Sequence, residues 1–155
     1  MNLFGLMETS GSAMQAERMR AEIVATNMAN AETTRTESGG PYRRQQVVFA
    51  ANPTDEGFVS SLSGASSNTW QSTRNVEPAG GVHIAQVFED NAEPLKRYDP
   101  GHPDAGPDGY VEYPDINPLT EMVDLMGATR AYGLNSSAVQ AEKGMITSAL
   151  DIAKS

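Results

Sequence analysis

Apolar residues recur at helical spacing in the C-terminal part of the chain. One line advances in alternating steps of three and four, which is the a/d spacing of a coiled-coil seam. Its members are Ala131, Leu134, Ala138, Ala141, Met145, Ser148 and Ile152. A second line, with steps of seven, consists of Leu125, Tyr132, Val139 and Ile146. One antiparallel neighbour cannot cover both lines, so the pattern predicts a helix with more than one packing partner.

The N-terminal part carries a weaker heptad pattern. One line contains Met7, Met14, Ala21 and Met28, and a second contains Leu3, Ser10, Val24 and Ala31. Glu17 interrupts this pattern. A helix from Asn2 to Asn30 would be about 43 Å long. The Thr33-Thr34 pair and the Ser38–Pro41 turn end it, while Asn117-Pro118 is a typical start for the C-terminal helix.

Between the helices, short segments alternate as β-strands do. They are 46–49, 82–88, 95–98 and 110–113, and we expect 95–98 to pair antiparallel with 82–88 after an Asp90-Asn91 turn. The stretch 52–79 is rich in Ser, Thr, Asn and Gly and is predicted to be a loop or mobile insertion. Its large apolar side chains are Phe58, Leu62 and Trp70.

These elements predict an α+β fold, with long N- and C-terminal helices in a coiled-coil-like hairpin and a small β-rich central module. The predicted division is residues 1–36 for the first helix, 37–116 for the central module and 117–155 for the last helix. All nine prolines lie from Pro41 to Pro118, and all eight methionines lie outside that stretch.

Composition indicates a shortage of core. Leu, Ile, Val and Phe account for only 27 of 155 residues, a fraction below that of most self-sufficient globular domains. An ordinary buried helix pair remains one explanation of the heptad lines. Close packing of helices from several chains also explains the small seam residues, the terminal position of both helices and the second apolar line.

Charge and residue usage exclude several classes of function. The net charge is −9, of which about −7 falls in the central module, and this disfavours nucleic acid as a partner. The chain has no cysteine, no apolar run long enough to insert in a membrane and no pattern typical of a secretory signal.

Candidate chemistry is sparse. The loop 98–115 resembles a calcium loop at its carboxylates, but Gly106 occupies a ligand position, so a rigid turn-rich connector is the preferred interpretation. We therefore expect no catalytic, cofactor-binding or metal-binding residues. Tyr42, Arg43 and Arg44 form a cluster suited to an acidic surface on another copy or a different subunit.

Four further groups of residues form a distinctive set: Ala25–Thr34, Gly39–Arg44, Tyr98–Ala105 with Asp108–Val111, and Glu121–Met126 with Thr129–Tyr132. Together they resemble the bacterial flagellar rod and hook axial proteins, and among them the proximal-rod subunits. The resemblance implies a structural, non-enzymatic subunit of the periplasmic rod that serves motility. It further implies type III export without a cleaved signal and helical hetero-oligomeric assembly with proximal and distal rod subunits and the base-plate or export-gate adaptor.

The periodicity and the resemblance together predict interface residues on both helices. On the first helix they are Leu3, Met7, Met14, Ala21, Val24, Asn27, Met28 and Asn30. On the last helix they are Leu125, Tyr132, Leu134, Ala138, Val139, Ala141, Met145, Ile146 and Ile152. Central-module candidates are Tyr42, Arg43, Arg44, Tyr98 and His102. Helix capping is an alternative role for Asn27 and Asn30.

Two other classes of function stay open at this point. One is a metal-binding or wall-modifying periplasmic domain centred on residues 98–115. The other is a soluble coiled-coil adaptor, which would form a stable dimer in dilute solution. The rod interpretation instead predicts a monomer whose terminal helices become protected from amide exchange only after assembly.

Overall fold

The computed structural model of the chain describes residues 3–52 and 80–154. Helix α1 spans Leu3–Ala29 and helix α2 spans Pro118–Lys154. They form an antiparallel hairpin, because the last turn of α1 contacts the first turn of α2 through Asn27 and Glu121. The α+β class and the helical hairpin are thus confirmed, whereas the domain limits at 36/37 and 116/117 stay a prediction.

The facing ends of the two helices follow from local sequence. The side-chain oxygen of Asn117 accepts a 3.0 Å bond from the Leu119 N–H, and Pro118 occupies the first helical position, where no N–H is needed. At the end of α1, Asn30 Nδ2 donates to the Thr26 carbonyl at 2.9 Å and so caps the last turn. The N-cap predicted at Asn117 is confirmed.

The central module consists of two separate two-stranded antiparallel sheets. Strand β1 (Gln45–Ala51) pairs with β2 (Val82–Glu89), and β3 (Leu95–Tyr98) pairs with β4 (Tyr110–Tyr113). All four predicted strands are present. The predicted insertion with Phe58, Leu62 and Trp70 lies outside the described residues.

The predicted pairing of β2 with β3 is wrong, because the segment between them forms no hairpin turn. The Asp90 N–H donates to the Arg44 carbonyl at 2.7 Å and keeps the end of β2 on β1. Pro94, directly before β3, has no N–H to donate. Strand β3 instead turns into β4, where the Asp99 N–H bonds to the Gly109 carbonyl at 3.0 Å.

Gly109 is required at that turn. Its φ is +73°, and a Cβ at this position would lie 2.8 Å from Cε2 of Tyr98. Both the backbone conformation and the space therefore favour glycine.

The side of α2 that faces α1 carries polar as well as apolar residues. A line with steps of seven is buried or half-buried and consists of Glu121, Ala128, Asn135 and Glu142. From the second predicted apolar line, Leu125, Val139 and Ile146 are half-buried beside it. The first predicted line is not the intrachain seam, since Leu134 is 67% and Met145 54% exposed. The correction has a simple cause: α1 packs against the small and polar line.

Candidate assembly site

A buried cluster at the closed end of the hairpin joins both helices to the central module. We name it the polar hub, and its members are Asn27, Tyr42, Arg44, Gln45 and Glu121. Asn27 is 1% exposed. Its Oδ1 accepts bonds from the Gln45 N–H (2.9 Å) and the Tyr42 hydroxyl (3.1 Å). Its Nδ2 donates to the Gln45 carbonyl (2.8 Å) and to Glu121 Oε2 (3.2 Å). The amide thus uses its full hydrogen-bonding capacity within the chain.

Glu121 supplies the negative charge of the polar hub. Arg44 Nε donates a 2.7 Å bond to its Oε1, so the carboxylate is compensated although it is 1% exposed. Its place in the first turn of α2 adds the favourable field of the helix N-terminus. A wider ion network continues from Arg44 to Asp124 (3.6 Å) and from Asp124 to Arg20 (3.6 Å). The charges therefore connect α1 and α2 with Arg44, the residue directly before β1.

Tyr42 completes the polar hub through its hydroxyl. Burial raises the pKa of this hydroxyl above its ordinary value of 10.0, and the nearby carboxylates of Glu89 and Glu121 raise the pKa further. The hydroxyl consequently stays protonated and remains a donor to Asn27.

Strands β3 and β4 carry an aromatic and cationic cluster. The Tyr98 and Tyr110 rings meet edge to face at 5.4 Å. Arg97 lies 4.1 Å from the Tyr113 ring centre and donates a 2.6 Å bond to the same tyrosine's hydroxyl. Sequence reasoning missed Arg97, because its side chain gains a role only when β3 pairs with β4. The pairing of Arg97 with Val111 in that register places it next to the strand's aromatic residues.

In the loop 98–115, Asp104 would be the first ligand of a calcium site, and its side chain already has partners within the chain. Asp104 accepts a 2.8 Å bond from Thr34 Oγ1 and lies 3.7 Å from Arg35. His102 Nδ1 accepts a 3.1 Å bond from the Asp104 N–H. Across residues 3–52 and 80–154, no three His, Cys, Asp or Glu side chains are grouped so that they could hold a metal ion. The Thr34 and Arg35 contacts tie this loop to the segment that follows α1.

The opposite side of α2 presents apolar residues to solvent. We name this surface the outward stripe and define it by Leu119, Val123, Met126, Leu134 and Met145. Each of the five side chains is more than half exposed, and their spacing places them on one side of the helix. Isolated apolar residues are common on protein surfaces, whereas a stripe of this length is typical of an interaction site.

The predicted interface residues fall into three groups. The first group is covered by the helix hairpin: Val24 is buried, and the half-buried members are Met7, Met14, Ala21, Met28, Leu125, Ala138, Val139 and Ile146. The side chain of Leu3 lies outside the described part of the chain. Asn27, Tyr42 and Arg44 bond within the chain, as does Arg43, whose guanidinium donates a 2.6 Å bond to Asn91. The exposed members are Tyr98, Tyr132, Leu134, Ala141, Met145 and Ile152. Contacts of all these residues with other subunits stay a prediction.

Comparison with known proteins identifies the class to which this hairpin and its hub belong. Residues 7–35 match the family described as Flagella basal body rod protein. Residues 108–152 match the family described as Flagellar basal body rod FlgEFG protein C-terminal. The matched segments contain Asn27 on one side of the polar hub and Glu121 on the other. Both matched families consist of flagellar rod proteins. Among the described residues, neither helix has the length and hydropathy of a membrane span.

Full-length relatives narrow the class further. The flagellar basal-body rod protein FlgC of Bacillus subtilis is 37% identical over 158 residues, covering 99% of this chain and 100% of the relative. FlgC of Borreliella burgdorferi is 38% identical over 161 residues, and FlgC of Escherichia coli O157:H7 is 33% identical over 152 residues. Both alignments cover 98% of each chain. The chain belongs to the FlgC family of flagellar basal-body rod proteins and is a structural component of the flagellar basal body.

Proposed function

We propose that this chain is a subunit of the proximal rod that assembles through its terminal helices and transmits torque. The observation that carries the proposal is the outward stripe on α2. Helix α1 already covers the other side of α2, so a second partner is needed to remove the stripe from water. Full burial of one such side chain contributes about 1.5 to 3 kcal/mol, before the cost of association. Neighbouring subunits complete the core that the isolated chain lacks.

The polar hub supports the mechanical part of this function. It joins α1, β1 and α2 through buried and part-buried hydrogen bonds and one charge pair. A load applied to the central module is therefore passed to both helices through several directional contacts at once. In this proposal the acidic central module faces outward and contacts other subunits.

The same proposal includes the identity of the partner subunits and the export pathway by which the chain reaches the rod. The array is a helical hetero-oligomer with proximal and distal rod subunits and with the base-plate or export-gate adaptor. The chain is exported unfolded by the type III apparatus. It has no catalytic activity and needs no cofactor, and its shortage of core favours unfolding for export.

Cysteine cross-linking tests the assembly surface directly, because the chain has no cysteine of its own. Leu134→Cys places a thiol on the outward stripe, and Gln140→Cys places one on another exposed side of α2. In purified basal bodies we expect benzophenone-maleimide, which couples to the introduced thiol and inserts into C–H bonds of a neighbouring chain on irradiation, to join Leu134→Cys, but not Gln140→Cys, to another rod subunit. Equal cross-linking at both positions, or none at Leu134→Cys, contradicts the proposal.

Hydrogen exchange separates the rod function from a soluble coiled-coil adaptor. The rod proposal expects a monomer in dilute solution and fast amide exchange in the exposed end of α2, with strong protection of α2 only in basal bodies. A stable dimer of the free protein that already protects α2 favours the adaptor.

A further inference from the structure

Glu142 is a buried acid in the second half of α2. Its side chain is 2% exposed, and its Oε2 has no hydrogen-bond partner among the described residues. None of the described lysines or arginines forms an ion pair with it. Glu121 lies on the same side of α2 but, unlike Glu142, its carboxylate accepts hydrogen bonds from Arg44 and Asn27. Glu17, with a similar buried oxygen, lies 3.7 Å from Arg20.

The position of Glu142 makes it reachable when the hairpin end opens. It lies 21 residues after Glu121, which corresponds to about 32 Å along α2 and brings it level with the first turns of α1. Every residue from Thr147 to Lys154 is exposed, so α2 projects beyond the described part of α1 from about Thr147. These exposed residues bury little surface, so local opening at this end costs less than opening at the polar hub, where Asn27 and Glu121 are each 1% exposed.

A buried carboxylate without a compensating cation destabilises the folded chain, and a cation supplied by a binding partner removes this destabilisation. We propose that Glu142 and the projecting end of α2 form a binding site for a cationic side chain, lysine or arginine, of a neighbouring rod subunit. The inference rests on the proposed function, since it requires assembly with other subunits. The isolated hairpin carries the cost, and the assembled rod relieves it.

The first test measures whether the charge of Glu142 destabilises the free subunit. Glu142→Gln keeps the shape and removes the charge, so we expect its Tm to rise by about 2 to 4 °C. Glu8→Gln is the matched control, because it removes an exposed charge at the same end of the hairpin and leaves Tm unchanged. A lower Tm for Glu142→Gln overturns the proposal, since it shows that the chain itself stabilises the carboxylate.

The second test measures incorporation in competition. Wild-type and variant chains are expressed together. Mass spectrometry measures the variant-to-wild-type ratio in purified basal bodies, and this is divided by the same ratio in the cell. Loss of a charge-assisted bond in the assembly lowers this value about tenfold for Glu142→Gln. Glu8→Gln stays near one. Equal incorporation of Glu142→Gln overturns the cation site alone, whereas absence of the wild-type chain from basal bodies overturns the proposed function.

Discussion

Asn27 Nδ2 donates a 3.2 Å hydrogen bond to Glu121 Oε2 and so joins the last turn of α1 to the first turn of α2 across 94 residues of chain. The same amide pairs with both backbone groups of Gln45, at the start of β1. Three elements are thus fixed to one another by a single side chain. Because all of its bonds are buried or part-buried, this contact specifies how the hairpin and the central module fit together.

Asn27→Asp should destabilise the free subunit although the two side chains have the same shape. The change replaces the Nδ2 donor with an oxygen, which faces the Gln45 carbonyl and the Glu121 carboxylate. We expect a loss of about 3 kcal/mol in the free energy of unfolding, measured by urea denaturation. Asn30→Asp, the matched change at the exposed capping bond, costs about 1 kcal/mol or less. Equal losses for the two variants contradict a special role for Asn27.

Arg44→Met should be more harmful than Arg43→Met. The first change leaves the buried Glu121 carboxylate without its cation and costs about 3 to 5 kcal/mol of stability. The second removes an exposed bond to Asn91 and costs about 1 kcal/mol or less. Adding Glu121→Gln to Arg44→Met should recover part of the loss, because the uncompensated charge is then absent. Failure of the double variant to recover any stability argues against the charge pair as the cause.

Ionisation of the Tyr42 hydroxyl should lower the stability of the folded chain in alkaline solution. Its pKa is raised in the folded chain above the ordinary value of 10.0, so the folded state prefers the neutral hydroxyl. The corresponding stability is complete below pH 10 and is lost as pH rises through the folded pKa. Tyr42→Phe should therefore show a shallower decline of stability above pH 10 than the wild type. Tyr98→Phe, which removes an exposed hydroxyl, is the control, and an equal flattening by both variants contradicts the prediction.

Local chemistry explains which parts of the fold are predictable from the sequence. The Asn117-Pro118 start of α2 and the strand segments depend on neighbouring residues, and both are found where expected. The partner of β2 depends on the bond from Asp90 to Arg44, which lies far away in sequence. No short-range pattern contains that information, so an adjacent hairpin was the natural but wrong expectation.

The candidate site shows the same limit. Periodicity identifies the apolar lines of α2, but it does not say which side α1 covers, because it gives no weight to the small and polar residues Glu121, Ala128 and Glu142 that occupy the seam. Asn27 and Arg44 stand out in the sequence one by one. Their connection through Glu121 depends on the antiparallel arrangement of the helices.

The last prediction concerns the outward stripe, where a substitution should impair assembly of the rod without impairing folding of the free subunit. Leu134→Glu places a charge where a neighbouring subunit would bury an apolar side chain, so we expect loss of rod assembly and of motility on soft agar. Stability of the free subunit should change by about 0.5 kcal/mol or less, since Leu134 is 67% exposed. Gln140→Glu adds the same charge at an exposed polar position and should leave motility intact.

A buried position completes the comparison. Ala128 is 0% exposed against α1, so Ala128→Glu should unfold or strongly destabilise the free subunit before assembly is reached. If Leu134→Glu destabilises the free chain as Ala128→Glu does, its motility defect is a folding defect and the stripe is not the assembly surface. If Leu134→Glu keeps both stability and motility, the stripe is not buried in the rod. Only loss of motility with stability retained agrees with a helix whose second side belongs to the neighbouring subunit.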